Sequence, residues 1–273
     1  MLGIGPAEFK PQRGASRFWP HLHNFQVYQS AAAAGGAVTL NDIPVAPTDQ
    51  TTTIQNGHPI YPVGILLYGA YVVGATTITE AQITTPKLRA INPVDLRPID
   101  AAATESARPP LVEFFHHPLA LNPIDENQML FTTSGAAAEV YIGAWFGDGN
   151  WQVAQGDLYT IKLTASITTV AQAWASGALT LATGLPSGRY QVVGMDAFGA
   201  NGLFARLIFP NQVWRPGGLC GTAATFINTR YTRWGNLGVF SEFETFAIPQ
   251  LEVYANGAAT STFTVFLDII RVR

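Results

Sequence analysis

The residues with chemistry to offer are few, and their spacing suits no reaction. His116 and His117 are adjacent, and neighbours on a strand point to opposite faces, which makes a poor chelate. His21 and His23 would share a face on an extended segment. No carboxylate or cysteine stands near to complete a metal site, so packing is the simpler reading. Asp125-Glu126-Asn127 and Asp148-Gly149-Asn150 carry oxygens without the spacing of a calcium loop, and turn chemistry accounts for both. Cys220 is the single cysteine, which leaves no intrachain disulfide and no cysteine-based zinc site. A nucleophile needs a base within hydrogen-bond reach, and the second half of the chain has no histidine, so Cys220 reads as a small buried residue. Gly184-Leu185-Pro186-Ser187-Gly188 surrounds a serine with glycines at the wrong spacing for a nucleophile elbow. There is no phosphate loop or dinucleotide fingerprint. No enzyme activity and no cofactor are expected.

The remaining candidates are aromatic and cationic. The connection from Asn211 to Gly235 carries Trp214, Tyr231 and Trp234 among Arg215, Arg230 and Arg233. A connection of that length is usually functional. Aromatic faces stack on sugars, and Trp, Tyr and Arg are also the residues enriched where subunits meet. The subunit-interface reading assigns Trp214, Arg215, Tyr231, Arg233 and Trp234 to a contact between chains. The glycan-binding reading stays open beside it. A second candidate contact is the start of the chain, residues 1–20, which has no periodicity. Lys10, Arg13 and Arg17 make it basic, and Phe18 and Trp19 could anchor it against its own domain, a neighbouring subunit or a membrane surface.

Composition favours the interface reading. Of 273 residues 48% are hydrophobic and only 12% charged, about half the charge usual for a soluble domain. Much of the surface therefore suits other protein or lipid better than water. A net charge of -3 is no nucleic-acid binder's footprint. The first residues, Met1 to Pro6, lack the cationic region and apolar core of a secretory signal. The longest nearly apolar run, Gly64 to Ala75, is too short and glycine-rich for a membrane helix.

The elements that must position these residues read as short strands throughout. Tyr190 to Pro210 looks like a hairpin, with its turn at Gly199-Ala200-Asn201-Gly202, where Gly and Asn supply positive φ. Leu203, Ala205, Leu207 and Phe209 share one face of its second strand; Phe204, Arg206 and Ile208 share the other. The chain says this twice. Gly69, Gly74-Ala75, Ala81 and Pro86 repeat in order as Gly194, Gly199-Ala200, Ala205 and Pro210, and an Arg-Pro pair follows each, Arg97-Pro98 and Arg215-Pro216. Gly135-Ala136-Ala137 likewise repeats as Gly257-Ala258-Ala259, between strand runs that close each half. Repeats in the same order at nearly one offset point to a duplicated unit.

Further strands are expected over His23 to Ser30, Ala37 to Asn41, Thr51 to Gln55, Leu111 to Phe115, Met129 to Thr133 and Val140 to Phe146. In the second half they fall over Tyr159 to Ile167, Ala178 to Ala182, Gly238 to Phe246, Leu251 to Tyr254 and Thr262 to Val272. Val170 to Trp174 suits a short helix. Gly147 to Asn150 is the best boundary, giving an arm over 1–20, a first sandwich over 21–150 and a second over 151–273. The expected class is all-β: two tandem sandwiches behind an extended N-terminal arm.

The duplicated strand-turn-strand motif and the two closing runs, Val140 to Phe146 and Phe263 to Val272, carry a resemblance over about residues 22–273. The chain resembles the double jelly-roll major capsid proteins of tailless icosahedral viruses of bacteria and archaea, many with an internal membrane. The resemblance implies a structural role, with each jelly roll upright in an icosahedral shell in the virion, made in the host cytoplasm. It also implies self-assembly as homotrimers with a pseudo-hexagonal outline. A penton or minor capsid protein and an internal membrane beneath the arm are further partners it implies.

Overall fold

The computed structural model of the chain describes residues 24–32, 36–39, 65–74, 78–84, 94–95, 111–113, 119–121, 128–133 and 138–147, and residues 155–272 apart from 183, 211, 213–214, 222–231 and 256. The arm over 1–20, the strand expected over Thr51 to Gln55 and the His and Asp candidates of the first half lie outside them.

The described elements are strands. The first half contributes β1 (Asn24–Ala32), β2 (Gly36–Thr39), β3 (Ile65–Gly74), β4 (Ile78–Thr84), β5 (Val94–Asp95), β6 (Leu111–Glu113), β7 (Leu119–Leu121), β8 (Gln128–Thr133) and β9 (Ala138–Gly147). The second contributes β10 (Leu158–Thr168), β11 (Ala173–Ala178), β12 (Thr180–Leu181), β13 (Arg189–Phe198), β14 (Gly202–Ile208), β15 (Gly217–Gly221), β16 (Ser241–Glu244), β17 (Gln250–Ala255) and β18 (Thr260–Arg271). In the first half, one sheet runs β1-β9-β3-β6 and the other β2-β8-β4-β5. In the second half, β10 pairs with β18, β18 with β13 and β13 with β16, while β11 pairs with β17, β17 with β14 and β14 with β15. The two orders are the same. Each unit is built on two four-strand ladders in the strand order of a jelly roll, with β7 added beside β3 in the first and β12 beside β10 in the second.

The irregularities repeat as well. β3 slips register against β9 between Leu67 and Gly69, and β13 slips against β18 between Val192 and Gly194. β4 slips against β8 between Ile78 and Glu80, and β14 slips against β17 between Gly202 and Phe204. A bulge inserts an extra residue and bends its strand, so equivalent bulges bend both units alike. The glycines Gly69 and Gly194, picked out in the sequence as a repeat, sit at these bulges.

Several expectations need correction. The stretch from Tyr190 to Pro210 is not a hairpin: β13 and β14 do not pair with each other, their long ladders being with β18 and with β17 in opposite sheets. Asn201, at φ 62, turns the chain from one sheet into the other. The earlier copy does the same between β3 and β4. Positive φ and period-two alternation are equally compatible with a corner, so the residues alone favoured the commoner motif. Val170 to Trp174 is not a helix; its end opens β11, because pairing with β17 outweighs the short alanine-rich run. The strand expected over Ala178 to Ala182 is the end of β11 plus the separate β12, broken at Leu179. The connection from Asn211 to Gly235 contains β15, which pairs parallel with β13 and antiparallel with β14 and so joins the two sheets along one edge.

The interior of the second sandwich follows the alternation. Leu163, Ala165 and Ile167 of β10, Leu203, Ala205 and Leu207 of β14, Leu251 and Val253 of β17, and Phe263, Val265, Leu267 and Ile269 of β18 are all buried. The opposite face of β14 is buried too: Phe204 and Arg206 are both 0% exposed. The cover comes from the first sandwich, where Phe25 and Val27 of β1 and Tyr141 and Trp145 of β9 belong to the same apolar cluster. Gly143 lies in the middle of that covering face; a Cβ there would fall 2.5 Å from both the Phe204 and the Phe25 rings. Valine suits strands, yet Gly143→Val is expected to lose about 1–3 kcal/mol by overpacking. A urea midpoint below that of the parent chain checks it, and an unchanged midpoint would mean the two sandwiches are not in contact there.

Candidate functional site

Among the described residues of the second sandwich, a buried polar cluster lies on each outer face. The first is the joint with the first sandwich. Aromatic rings fill it: Phe25 packs on Trp145 and Phe204 with centroids 5.3 and 5.7 Å apart, and Tyr141 meets Tyr254 edge-on at 5.8 Å. Full burial of each such side chain contributes about 2 kcal/mol. Register explains the arrangement, since Phe25 stands opposite Trp145 across β1 and β9, and Phe204 opposite Tyr254 across β14 and β17.

Polar bonds cross this apolar joint. Trp145 Nε1 donates to Gly217 O at 2.7 Å, the Phe25 N–H to Arg215 O at 2.8 Å, and the Arg215 N–H to Asn24 Oδ1 at 3.2 Å. Arg206 donates through Nε to Glu252 Oε2 at 2.7 Å, reaches Phe25 O with Nη1 at 3.4 Å, and lies 3.7 Å from the centre of the Trp174 ring. Register again sets the pair, because Arg206 stands opposite Glu252. Arg215 Nε approaches the same carboxylate at 3.9 Å.

The second cluster lies on the outer face of β13 and β18. Asp268, fully buried, accepts from Arg233 Nε at 2.6 Å and Nη2 at 2.8 Å, from the Thr160 hydroxyl at 2.7 Å and from the Trp234 N–H at 2.9 Å. Asp196 stands 3.6 Å from Arg233 Nη1. Gly194 makes room: a Cβ there would meet Asp268 Oδ2 at 2.5 Å and the Arg233 Cα at 2.8 Å. The loop is thereby pinned flat on the sheet. Trp234 takes a left-handed φ of 57 and is 57% exposed, uncommon for so bulky a residue. Arg233 Cζ lies 5.1 Å from its ring centre.

Electrostatics follow from these contacts. Burial by itself would raise the Asp268 carboxyl. The hydrogen bonds from Arg233, Thr160 and the Trp234 N–H outweigh it and hold Asp268 below the ordinary carboxylate value. The hydrogen bond to Asp268 raises Arg233 above its ordinary value, against the opposing effect of burial. Burial pushes the Cys220 thiol well above its ordinary range, with Asp196 adding to the effect, so the thiolate is suppressed.

The five residues expected at one interface are not all in one place. Arg215 belongs to the joint inside the chain, and its side chain also donates to Gln212 O at 2.8 Å. Arg233 and Trp234 form the pinned loop on the other face. Trp214 and Tyr231, like Lys10, Arg13, Arg17, Phe18 and Trp19 of the arm, lie outside the described residues. Sequence reasoning missed Trp174, Glu252, Phe25 and Trp145. The usable signal was Arg206 itself, a single charge between Phe204 and Ile208 on a face otherwise apolar. Among the described residues, no group of three or more His, Cys, Asp or Glu side chains is placed to hold a metal ion.

The chain is thus an all-β protein of the jelly-roll class, its two units joined flank to flank. No protein-family model and no curated protein sequence matches it. Among solved structures it is similar to the major capsid protein P2 of bacteriophage PM2, at 8% identity over 92% of this chain and 98% of that one, with a TM-score of 0.23. It is also similar to a chain of Sulfolobus Turreted Icosahedral Virus, at 12% identity over 90% of this chain and 59% of that one, with a TM-score of 0.22. A third similar chain comes from a structure describing the triple jelly-roll fold and turret assembly in an archaeal virus, at 13% identity over 93% of this chain and 61% of that one, with a TM-score of 0.23. The jelly-roll assignment rests on the strand order.

A carboxyl held below its ordinary value stabilises the fold above the unfolded pKa, and that stability is lost as pH falls through the folded value. The pinned loop is therefore expected to hold at neutral pH and to weaken only below about pH 4, the ordinary Asp value. Asp268→Asn is expected to lose about 3 kcal/mol at neutral pH, the cost of breaking a buried pair, and to flatten the acid limb of stability. Urea midpoints from pH 3 to pH 8 for both chains check this; parallel curves would refute it.

Proposed function

We propose that this chain is a structural major capsid protein that self-assembles as homotrimeric, pseudo-hexagonal capsomers in the shell of an icosahedral virus. One observation carries the reading: the β1-β9 flank of one jelly roll packs drily on the β14-β17 flank of its equivalent in the same chain. In this reading the β10-β18 flank of the second unit makes the same kind of contact with a neighbouring chain. Repeating the joint between chains is a head-to-tail contact, and such contacts form rings when the rotation closes. Three chains of two units give six positions, the outline that tiles a hexagonal lattice. Beside the loop of Arg233 and Trp234, that flank is suited to such burial, since Phe198 and Phe266 form an edge-on pair at 6.3 Å that is only partly covered. Low charge over the chain supports the same reading.

In this reading the chain divides into an arm over 1–20, a first jelly roll over 21–150 and a second over 151–273. Arg233 and Trp234, with Trp214 and Tyr231, serve contacts between chains. Lys10, Arg13, Arg17, Phe18 and Trp19 serve contacts at the base, where the arm's charge suits an anionic membrane. A penton or minor capsid protein completes the shell. The function requires no cofactor and no catalysis, and the protein resides in the virion after synthesis in the host cytoplasm.

A glycan-binding role is the second reading, favoured by the exposed Trp234 ring in its pinned loop. The two readings predict different behaviour. Sedimentation of the purified chain is expected to give trimers or larger closed shells, six-lobed in negative stain. A monomer persisting at high concentration would overturn the capsid reading. Sugar-dependent protection of Trp234 fluorescence from quenching, lost in Trp234→Ala, would favour the glycan role instead.

A further inference from the structure

We infer that Arg206 is a positioning residue that sets the angle between the two jelly rolls, and through that angle decides whether copies close into a ring. The ring-closure part rests on the capsid reading; the angle itself does not.

Three observations carry the inference. The first is the setting of the charge. Arg206 is fully buried in a joint filled by aromatic rings. A guanidinium is costly to desolvate, and apolar residues of similar volume often stabilise such a site as well or better. Stability alone therefore does not account for it. The second is how it is held. Nε is tied to Glu252 on β17 and the guanidinium faces Trp174 on β11, so two separate strands of the second unit fix its direction. Its far side points to Phe25 O on the first strand of the first unit. The third is what surrounds it. The rings that pair across or beside the joint meet at tilted or edge-on angles, between 50° and 63° for Phe25 with Trp145, Phe25 with Phe204 and Tyr141 with Tyr254. Ring packing of this kind keeps its area through small rotations. Hydrogen bonds do not, since they weaken steeply off line.

The directional contacts converge on one short segment. Phe25 O faces Arg206, the Phe25 N–H bonds to Arg215 O, and Asn24 Oδ1 accepts from the Arg215 N–H. Glu252 links the two arginines. Trp145 to Gly217 adds a second fixed point on β9. The apolar rings supply adhesion, and the arginine segment supplies orientation. In a closed ring an angular error at each joint accumulates, so a few degrees of play divides closed trimers from open, mixed oligomers.

The experiment compares the full-length parent chain with Arg206→Met, which keeps the length and removes the guanidinium, and with Glu252→Gln, which keeps the shape and loosens the anchor. Three readouts are taken: urea midpoint, hydrogen exchange resolved along the chain, and sedimentation velocity. Arg206→Met is expected to fold with a midpoint at or above that of the parent. Exchange of the Phe25 and Val27 amides is expected to quicken at least tenfold while β18 stays protected. The closed-trimer fraction is expected to fall at least tenfold, replaced by heterogeneous species. Glu252→Gln is expected to shift exchange and assembly the same way, by less. Unchanged exchange at β1 would overturn the inference, as would normal closure by Arg206→Met. Failure of Arg206→Met to fold would overturn it too, since the residue would then hold the fold rather than the angle. A parent chain that stays monomeric would sink the capsid reading alone, because the exchange readout needs no assembly.

Discussion

One constraint governs this molecule: the sheet containing β14 and β17 is buried on both faces. An ordinary antiparallel sheet of a sandwich keeps one face wet. Here the inner face packs the sandwich and the outer face packs the other sandwich. Phe204 and Tyr254, on the outer face, are as dry as Leu207 and Val253 on the inner one. The consequence reaches both units. The first must present a flat, aromatic flank with a gap at Gly143, and the second must bury Arg206 beneath it. Neither flank suits water once the units are parted, so the two jelly rolls form one body.

The second polar cluster shows the same logic applied to a loop. A long connection that crosses a sheet face must satisfy its backbone or stay clear of the sheet. Asp268 solves this by accepting from the Trp234 N–H and clamping Arg233, and Gly194 permits the approach. The Trp234 ring is thereby directed outward on a rigid support. Rigid support lowers the entropy that an exposed aromatic loses on meeting a partner. The two arginines that look alike in sequence, Arg215 and Arg233, thus have opposite placements. One faces the sibling unit within the chain, and the other supports a surface left open.

Duplication makes the arrangement economical. The same two bulges, at Gly69 and Gly194 and at Glu80 and Phe204, bend both units alike. Like shapes can meet through unlike flanks, which is the requirement for a head-to-tail contact. The specialisation is confined to side chains. Phe25 and Trp145 on one unit, and Phe204, Arg206 and Tyr254 on the other, turn a shared framework into two complementary surfaces.

The residues themselves determined the class, the duplication and the strand interiors. Period two, Gly and Pro punctuation and the repeated glycines are local signals, and each is written within a few positions of the feature it specifies. The alternation of β10 over Tyr159 to Ile167 could be read in this way, although only Leu163, Ala165 and Ile167 of its apolar face are buried and Tyr159 is exposed. Which strands pair could not: the turn at Gly199 to Gly202 has the chemistry of a hairpin and acts as a corner, because partners many residues away decide the sheet. The candidate site was legible only as composition, an excess of Trp, Tyr and Arg. Its division into a joint and a pinned loop needed the tertiary structure, since Arg206 meets Phe25 only after the two units stack, and Arg233 meets Asp268 only after the loop folds across the sheet. Local sequence encodes preference, whereas burial of a charge against a distant carbonyl or carboxylate is decided by packing.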